Sequence, residues 1–181
     1  MRVITGSARG RRLETPEGLE TRPTSGKAKE AIFSAIQFEI EQATVLDLFA
    51  GSGQLGIEAL SRGARLAVFV ENGADAHSII MRNLNNTGLM KSSRVARMDA
   101  IAYLKNAKDK FDIIFLDPPY DTNLAAEALP LCAGIAAPAG VIICETEKRT
   151  QLPETVGEFV RTKEYTFGIA KFSVYRRAEK E

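Results

Sequence analysis

The chain has 181 residues, of which 45% are hydrophobic and 26% charged, and a formal net charge of +1. A chain of this length can bury roughly 70% of the surface it exposes when unfolded, so it suits one soluble globular domain. No stretch approaches the roughly 20 consecutive apolar residues of a membrane helix, and the basic start "MRVITGSARGRR" has no apolar signal segment, so a cytoplasmic protein away from membranes is expected.

Taken in chain order, "RVITGSARGRRLETP" has short β-like pieces over Arg2–Thr5 and Arg11–Thr15, split by Gly6, Ser7 and Gly10, which predicts a small hairpin with a basic tip. In "RPTSGKAKEAIFSAIQFEI", Thr24 is a candidate N-cap, and Ala28, Ala31, Ile32, Ala35, Ile36 and Ile40 fall on one helical face. From Thr44 the rhythm changes to apolar runs alternating with helical patterns: "TVLDLF", "QLGIEALSRG", "RLAVFVE", "ADAHSIIMRNLNNTG", "RVARMDA", "IAYLKNA", "FDIIFLD", "NLAAEALPLCAGI" and "GVIICE". This alternation predicts an α/β fold with a parallel sheet covered by helices on both faces. Pro130 is expected to start or kink its helix and not to sit deep inside it. The tail "EFVRTKEYTFGIAKFSVYRR" has two β-rich runs about Phe167-Gly168, hence an antiparallel hairpin at the sheet edge.

Charge is unevenly spread along this order. Residues 1–30 carry seven Lys/Arg against four Asp/Glu and residues 161–181 six against three, whereas residues 31–160 carry eleven against sixteen. Basic ends on an acidic body suit flanks that touch phosphates, with ordinary solvated charge as the plain alternative.

Open α/β sheets bind ligands outside the carboxyl ends of their strands, where the strand order reverses. In "LDLFAGSGQLG", Gly51, Gly53 and Gly56 satisfy G-x-G-x-x-G, and Glu71 closes the next strand 20 residues beyond Gly51, where an acid can bind ribose hydroxyls. Asp47 lies inside the first strand, and a buried carboxylate needs a cation or hydrogen-bond donors. A nucleoside carrying a positively charged amino acid therefore fits better than a pyrophosphate, and S-adenosylmethionine is such a molecule. Asp99 could accept from an adenine amine while Ala100 leaves room for the ring, or it could simply cap the following helix.

The run "IIFLDPPYD" ends on a carboxylate, two prolines and a tyrosine. Consecutive prolines fix the backbone and remove two donors, turning the carbonyls of Asp117 and Pro118 toward the crevice as acceptors. Asp117 and the Pro118 carbonyl could grip both N–H groups of an exocyclic amine, Pro119 keeps the grip rigid, and Tyr120 can stack on a flipped base. Cys132 and Cys144 are read as buried reduced thiols, the lone His77 as a surface or half-buried helix residue, and no metal site is expected.

Together, "LDLFAGSGQLGIEALSRGA", Glu71, "MDA" and "FLDPPY" resemble class I S-adenosylmethionine-dependent methyltransferases of the amino-methylating type. The segments "RVITGSARGRRL" and "TRPTSGKAKEAIFSAI" are similar, more narrowly, to bacterial 16S ribosomal RNA (guanine-N2)-methyltransferases. The resemblance implies a Rossmann-like sheet of residues 41–181, preceded by an RNA-facing hairpin and helix over residues 1–40, the whole forming one compact unit. It implies that Asp47, Ala50, Gly51 and Gly53 surround the methionine part of the cofactor, that Glu71 holds the ribose and Asp99 the adenine amine, and that Asn72 and Ala100 also belong to the cofactor-binding set. Asp117, Pro118, Pro119 and Tyr120 would form the target site. Arg2, Arg9, Arg11, Arg12, Arg22, Thr24 and Lys27 would face 16S rRNA or an assembling small subunit, bound by a monomer. Gly73, where relatives often carry an acid, and Lys27, where Arg is usual, depart from the pattern. Methylation of DNA adenine or protein glutamine, a nicotinamide dehydrogenase and a non-catalytic RNA-binding module are the competing readings.

Overall fold

The computed structural model describes residues 1–17 and 24–179. Five parallel strands run through its centre: β1 (Thr44–Leu48), β2 (Leu66–Val70), β3 (Ser93–Ala96), β4 (Phe111–Leu116) and β5 (Ala136–Glu147). Three more, β6 (Thr155–Val156), β7 (Phe159–Phe167) and β8 (Ala170–Arg177), extend the sheet antiparallel, giving the order β3-β2-β1-β4-β5-β8-β7-β6. The expected edge hairpin is therefore present, and β8 rather than β7 is the strand that pairs with β5.

Helices cover both faces because β1, β2, β4 and β5 carry apolar side chains on each. On one face α1 (Gly26–Ala35), α2 (Gln54–Ser61) and α3 (Ala74–Thr87) pack on Val45, Phe69, Phe115 and Ile143. On the other, α4 (Ala100–Asn106) and α5 (Leu124–Ile135) pack on Leu46, Val70, Leu116 and Ile142. The chain goes outward from β1 to β3 and then crosses back to β4, so the order reverses between β1 and β4. That places the crevice at the ends of these two strands.

Three local expectations need correction. The expected N-terminal hairpin is present but shorter than its two predicted β pieces: Arg2 bridges Arg12, and Val3, Gly10 and Leu13 N–H donate to the Arg11, Val3 and Met1 carbonyls, whereas Ile4 and Thr5 N–H turn away to Glu58 and Ser7 N–H to the Ser61 carbonyl. The cap of α1 is Ser25, whose hydroxyl accepts from Ala28 N–H, and Thr24 is not the cap. Pro130 sits inside α5, because both it and Ala126, whose carbonyl it leaves unmatched, lie on the exposed face where water can serve that carbonyl.

A buried ion cluster ties the N-terminal segment down. Glu58 is fully buried in α2 and pairs with Lys29 of α1 at 3.2 Å and with Arg62 at 2.9 Å, while the Lys29 ammonium also donates to the Arg2 carbonyl. Burial lowers the Lys29 pKa from its ordinary value, against the opposing pull of Glu58. Arg62 completes the cluster by lying over the Phe33 ring at 4.7 Å, and Phe33 in turn meets Phe115.

Candidate active site

Alternation along the strands sets the site. Asp47 shares the face of Val45; its β4 partner is Phe115, so Asp117, two residues on, lies on the same face. Leu116 pairs with Cys144, which makes Glu145 the neighbour of Asp117 on β5. Three carboxylates thus stand in a row across the ends of β1, β4 and β5, facing α1 and α2.

Each carboxylate is held differently. Asp47 is buried and its Oδ2 accepts from Gly56 N–H at 2.8 Å. Burial pushes its pKa up to about 7, with the charge of Glu71 adding to the rise and the Gly56 bond opposing it. Asp117 is half-buried and lies well above the ordinary carboxylate range, first through burial, then through the charges of Glu145 and Asp47. Glu145 is buried and accepts from the Thr24 hydroxyl at 3.0 Å and the Tyr120 phenol at 2.9 Å.

The loop after β1 is built for close approach. Phe49, at φ 59°, takes the left-handed conformation that costs a bulky residue strain, and Gly51 and Gly53 take it freely. A Cβ added to Gly51 would point into open space, so a ligand can lie against that backbone. The reason for Gly56 is different: a Cβ there would stand 2.3 Å from Phe69 Cε1, so this glycine lets α2 pack tightly on β2. Glu71 accepts from Gly51 N–H and Gly73 N–H, both at 2.8 Å, which locks its carboxylate at the end of β2 on the wall of a cleft of about 610 Å³. Asn83 fixes the other side of the loop, donating to the Ser52 carbonyl while also bonding Glu14.

The remaining expected residues divide. Ala50 and Ala100 are buried beside the crevice strands, Asn72 is exposed after Glu71, and Asp99 caps α4 by accepting from Ala102 N–H at 2.9 Å. Pro118 is buried, Pro119 exposed and Tyr120 half-buried. Arg2, Arg9, Arg11, Arg12 and Lys27 are exposed, while Arg22 lies outside the described residues. Thr24 is a correction: expected to face RNA, it is buried with its hydroxyl turned inward onto Glu145, because α1 packs on the sheet directly beneath it.

Sequence reasoning missed Glu145 and the Lys29–Glu58 pair. "VIICE" carries the same signal as "FLD", an apolar run ending on a carboxylate, and so could have been found. Lys29 carries a signal too, standing three, four and seven residues before Ile32, Phe33 and Ile36 on the apolar face of its helix, as Lys27 does not; its partner Glu58 has no such local mark. The cysteines are both buried and unpaired, with thiol pKa values pushed up by burial. Among the described residues no group of His, Cys, Asp and Glu is arranged to hold a metal ion.

Residues 1–176 match the protein family described as Conserved hypothetical protein 95. The chain belongs to this family. It is 41% identical over 182 residues to YlbH of Bacillus subtilis (strain 168), covering 98% of this chain and 99% of that protein. It is 35% identical to the ribosomal RNA small subunit methyltransferase D of Haemophilus influenzae, covering 97% of this chain and 93% of that one. The solved structure of yhhF from Escherichia coli superposes with a TM-score of 0.88 at 33% identity, covering 98% of this chain and 97% of that one. The mostly parallel sheet with its antiparallel C-terminal strands is the Rossmann-like arrangement of these methyltransferases.

Proposed function

We propose that this chain, acting as a cytoplasmic monomer, transfers a methyl group from S-adenosylmethionine to the exocyclic N2 of a guanine in 16S rRNA, carried by the small subunit or its assembling precursor. The observation that carries this reading is the emergence of Asp117-Pro118-Pro119-Tyr120 from β4 beside the glycine loop of β1, at the reversal of strand order. The full-length likeness to a ribosomal RNA small subunit methyltransferase supports the RNA target.

The residues present fit the cofactor. Asp47 is a buried carboxylate whose proton affinity is raised for want of a cation, and a ligand bearing an ammonium group answers that need. Glu71 is pinned by two N–H donors with its outer edge on the cleft, where ribose hydroxyls can reach it. Asp99, with one oxygen capping α4, offers the other to an adenine amine. When bound, S-adenosylmethionine supplies an electrophilic methyl group on a sulfonium, whose departure as a neutral thioether needs no metal and no covalent enzyme intermediate.

The chain's own residues do the rest by positioning. Asp117 and the Pro118 carbonyl accept the two N–H groups of the guanine amine and direct its lone pair. The raised proton affinity of Asp117 suits it to take up the proton that the amine sheds once methylated. Tyr120 stacks on the base, an interaction worth about 1–3 kcal/mol that offsets part of the cost of unstacking it. The exposed Arg2, Arg9, Arg11, Arg12 and Lys27 contact RNA phosphates.

The test is transfer of labelled methyl from S-adenosylmethionine to unmodified small-subunit RNA, offered free and in assembled particles, with large-subunit RNA as control. Label in the small-subunit RNA alone supports the reading; label in DNA or protein, or in neither RNA, overturns it.

A further inference from the structure

We propose that Glu145 is a positioning residue for the target base, holding the Tyr120 ring at the mouth of the crevice and linking it to the start of α1 through Thr24. The proposal rests on the methyl-transfer reading for the meaning of Tyr120, and on geometry for the link itself.

Both oxygens of one carboxylate are engaged by hydroxyls from opposite sides. Tyr120 Oη donates to Oε1 at 2.9 Å and Thr24 Oγ1 to Oε2 at 3.0 Å, although the three residues are far apart in the chain. Glu145 itself is fixed, lying in β5 between β4 and β8, where its neighbour across the ladder is Phe172. Tyr120 by contrast is in the loop after β4, followed by Asp121 in the left-handed conformation at φ 57°. A loop side chain hydrogen-bonded to a rigid strand acquires that strand's precision.

The chemistry explains a choice the stacking role leaves open. Stacking needs only an aromatic ring, and a phenol adds a polar group that must be satisfied when half-buried. Here the phenol oxygen is the handle by which the ring is aimed. The charge of Glu145 also falls on the neighbouring Asp117, whose proton affinity is raised first by burial and then by that charge. One side chain therefore orients the ring and biases the proton on the group proposed to meet the amine. Thr24, Asp117 and Glu145 line one small cavity together with Lys29, so the base-facing residues and the buried ion cluster of α1 share a wall.

The experiment compares Tyr120→Phe, Glu145→Gln, Thr24→Val and the double variant Tyr120→Phe with Glu145→Gln. Three quantities are measured: methyl transfer to small-subunit RNA, S-adenosylmethionine affinity by calorimetry, and thermal midpoint. The phenol environment is followed separately by fluorine NMR of fluorotyrosine-labelled protein, in which Tyr120→Phe assigns the resonance among the four tyrosines. The expected result is a loss of about ten- to hundredfold in kcat for each of Tyr120→Phe and Glu145→Gln, with cofactor affinity unchanged. The double variant should be no worse than the single ones, since both break the same link. Glu145→Gln should also shift and sharpen the Tyr120 resonance, and Thr24→Val should give a smaller change in the same direction. Multiplicative losses in the double variant, or activity falling only in step with the thermal midpoint, would overturn the proposal. If the wild type methylates no RNA, the substrate reading fails, yet the fluorine spectrum still decides the link: an unmoved resonance in Glu145→Gln refutes it.

Discussion

Asp47 makes the sharpest claim about the cofactor, because its protonation and the ligand's charge must be coupled. Its folded pKa of about 7 stands far above the 3.8 of an exposed aspartate. If the ligand's ammonium needs the ionised carboxylate, affinity should follow the ionised fraction. That fraction rises from about 0.03 at pH 5.5 to about 0.5 at pH 7, so affinity should rise about sixteenfold, or about 1.6 kcal/mol. The ligand's own amine stays protonated over this window, its ordinary pKa being about 7.7–8.0. Calorimetric titration of the protein with S-adenosylmethionine at several pH values measures the slope, and Asp47→Asn should bind weakly and with a nearly flat profile. The same shift has a stability consequence of fixed sign. A carboxyl whose folded pKa is raised favours the fold in its neutral form, so this contribution is lost as pH climbs from about 4 through about 7. Without ligand, wild type should lose stability relative to Asp47→Asn across that window. An affinity flat with pH, or an equal slope in Asp47→Asn, would refute the reasoning.

Other expectations follow from the same geometry. Asp117→Asn should cut methyl transfer at least about a hundredfold while leaving cofactor affinity within about threefold, as separate activity and calorimetric measurements would show. Glu58→Ala removes the partner of a buried Lys29 and the acceptor of two backbone N–H groups, so urea unfolding should register a loss of about 3–5 kcal/mol. Gly56→Ala drives a methyl group into the Phe69 ring and should cost about 1–3 kcal/mol by thermal denaturation. RNA affinity should fall steeply with added salt, and replacing Arg9, Arg11 and Arg12 with Gln should flatten that slope.

Much of this arrangement was legible in the chain because it is written as local pattern. The apolar runs ending at Asp47, Glu71 and Asp117 gave the strand ends, and the glycine spacing gave the turn from β1 into α2. What stayed hidden depends on partners far apart in sequence. Thr24 reads as a helix cap, and only the fold shows its hydroxyl committed to Glu145, 121 residues away. The helical spacing puts Lys29 on the apolar face of α1, but that it meets Glu58 there is settled only when α1 and α2 press the two together between sheet and N-terminal segment. Pro130 breaks a rule about isolated helices that the exposed side of α5 relaxes. In each case tertiary packing supplied a partner or a solvent route that no window of sequence contains.

The central claim concerns one atom of one base. Mass spectrometry of nucleosides from small-subunit RNA, unmodified at the start and incubated with this protein and S-adenosylmethionine, tests it most directly. The account predicts N2-methylguanosine, absent when Asp117 is replaced by Asn; a different methylated nucleoside, or none while cofactor binding is intact, would contradict it.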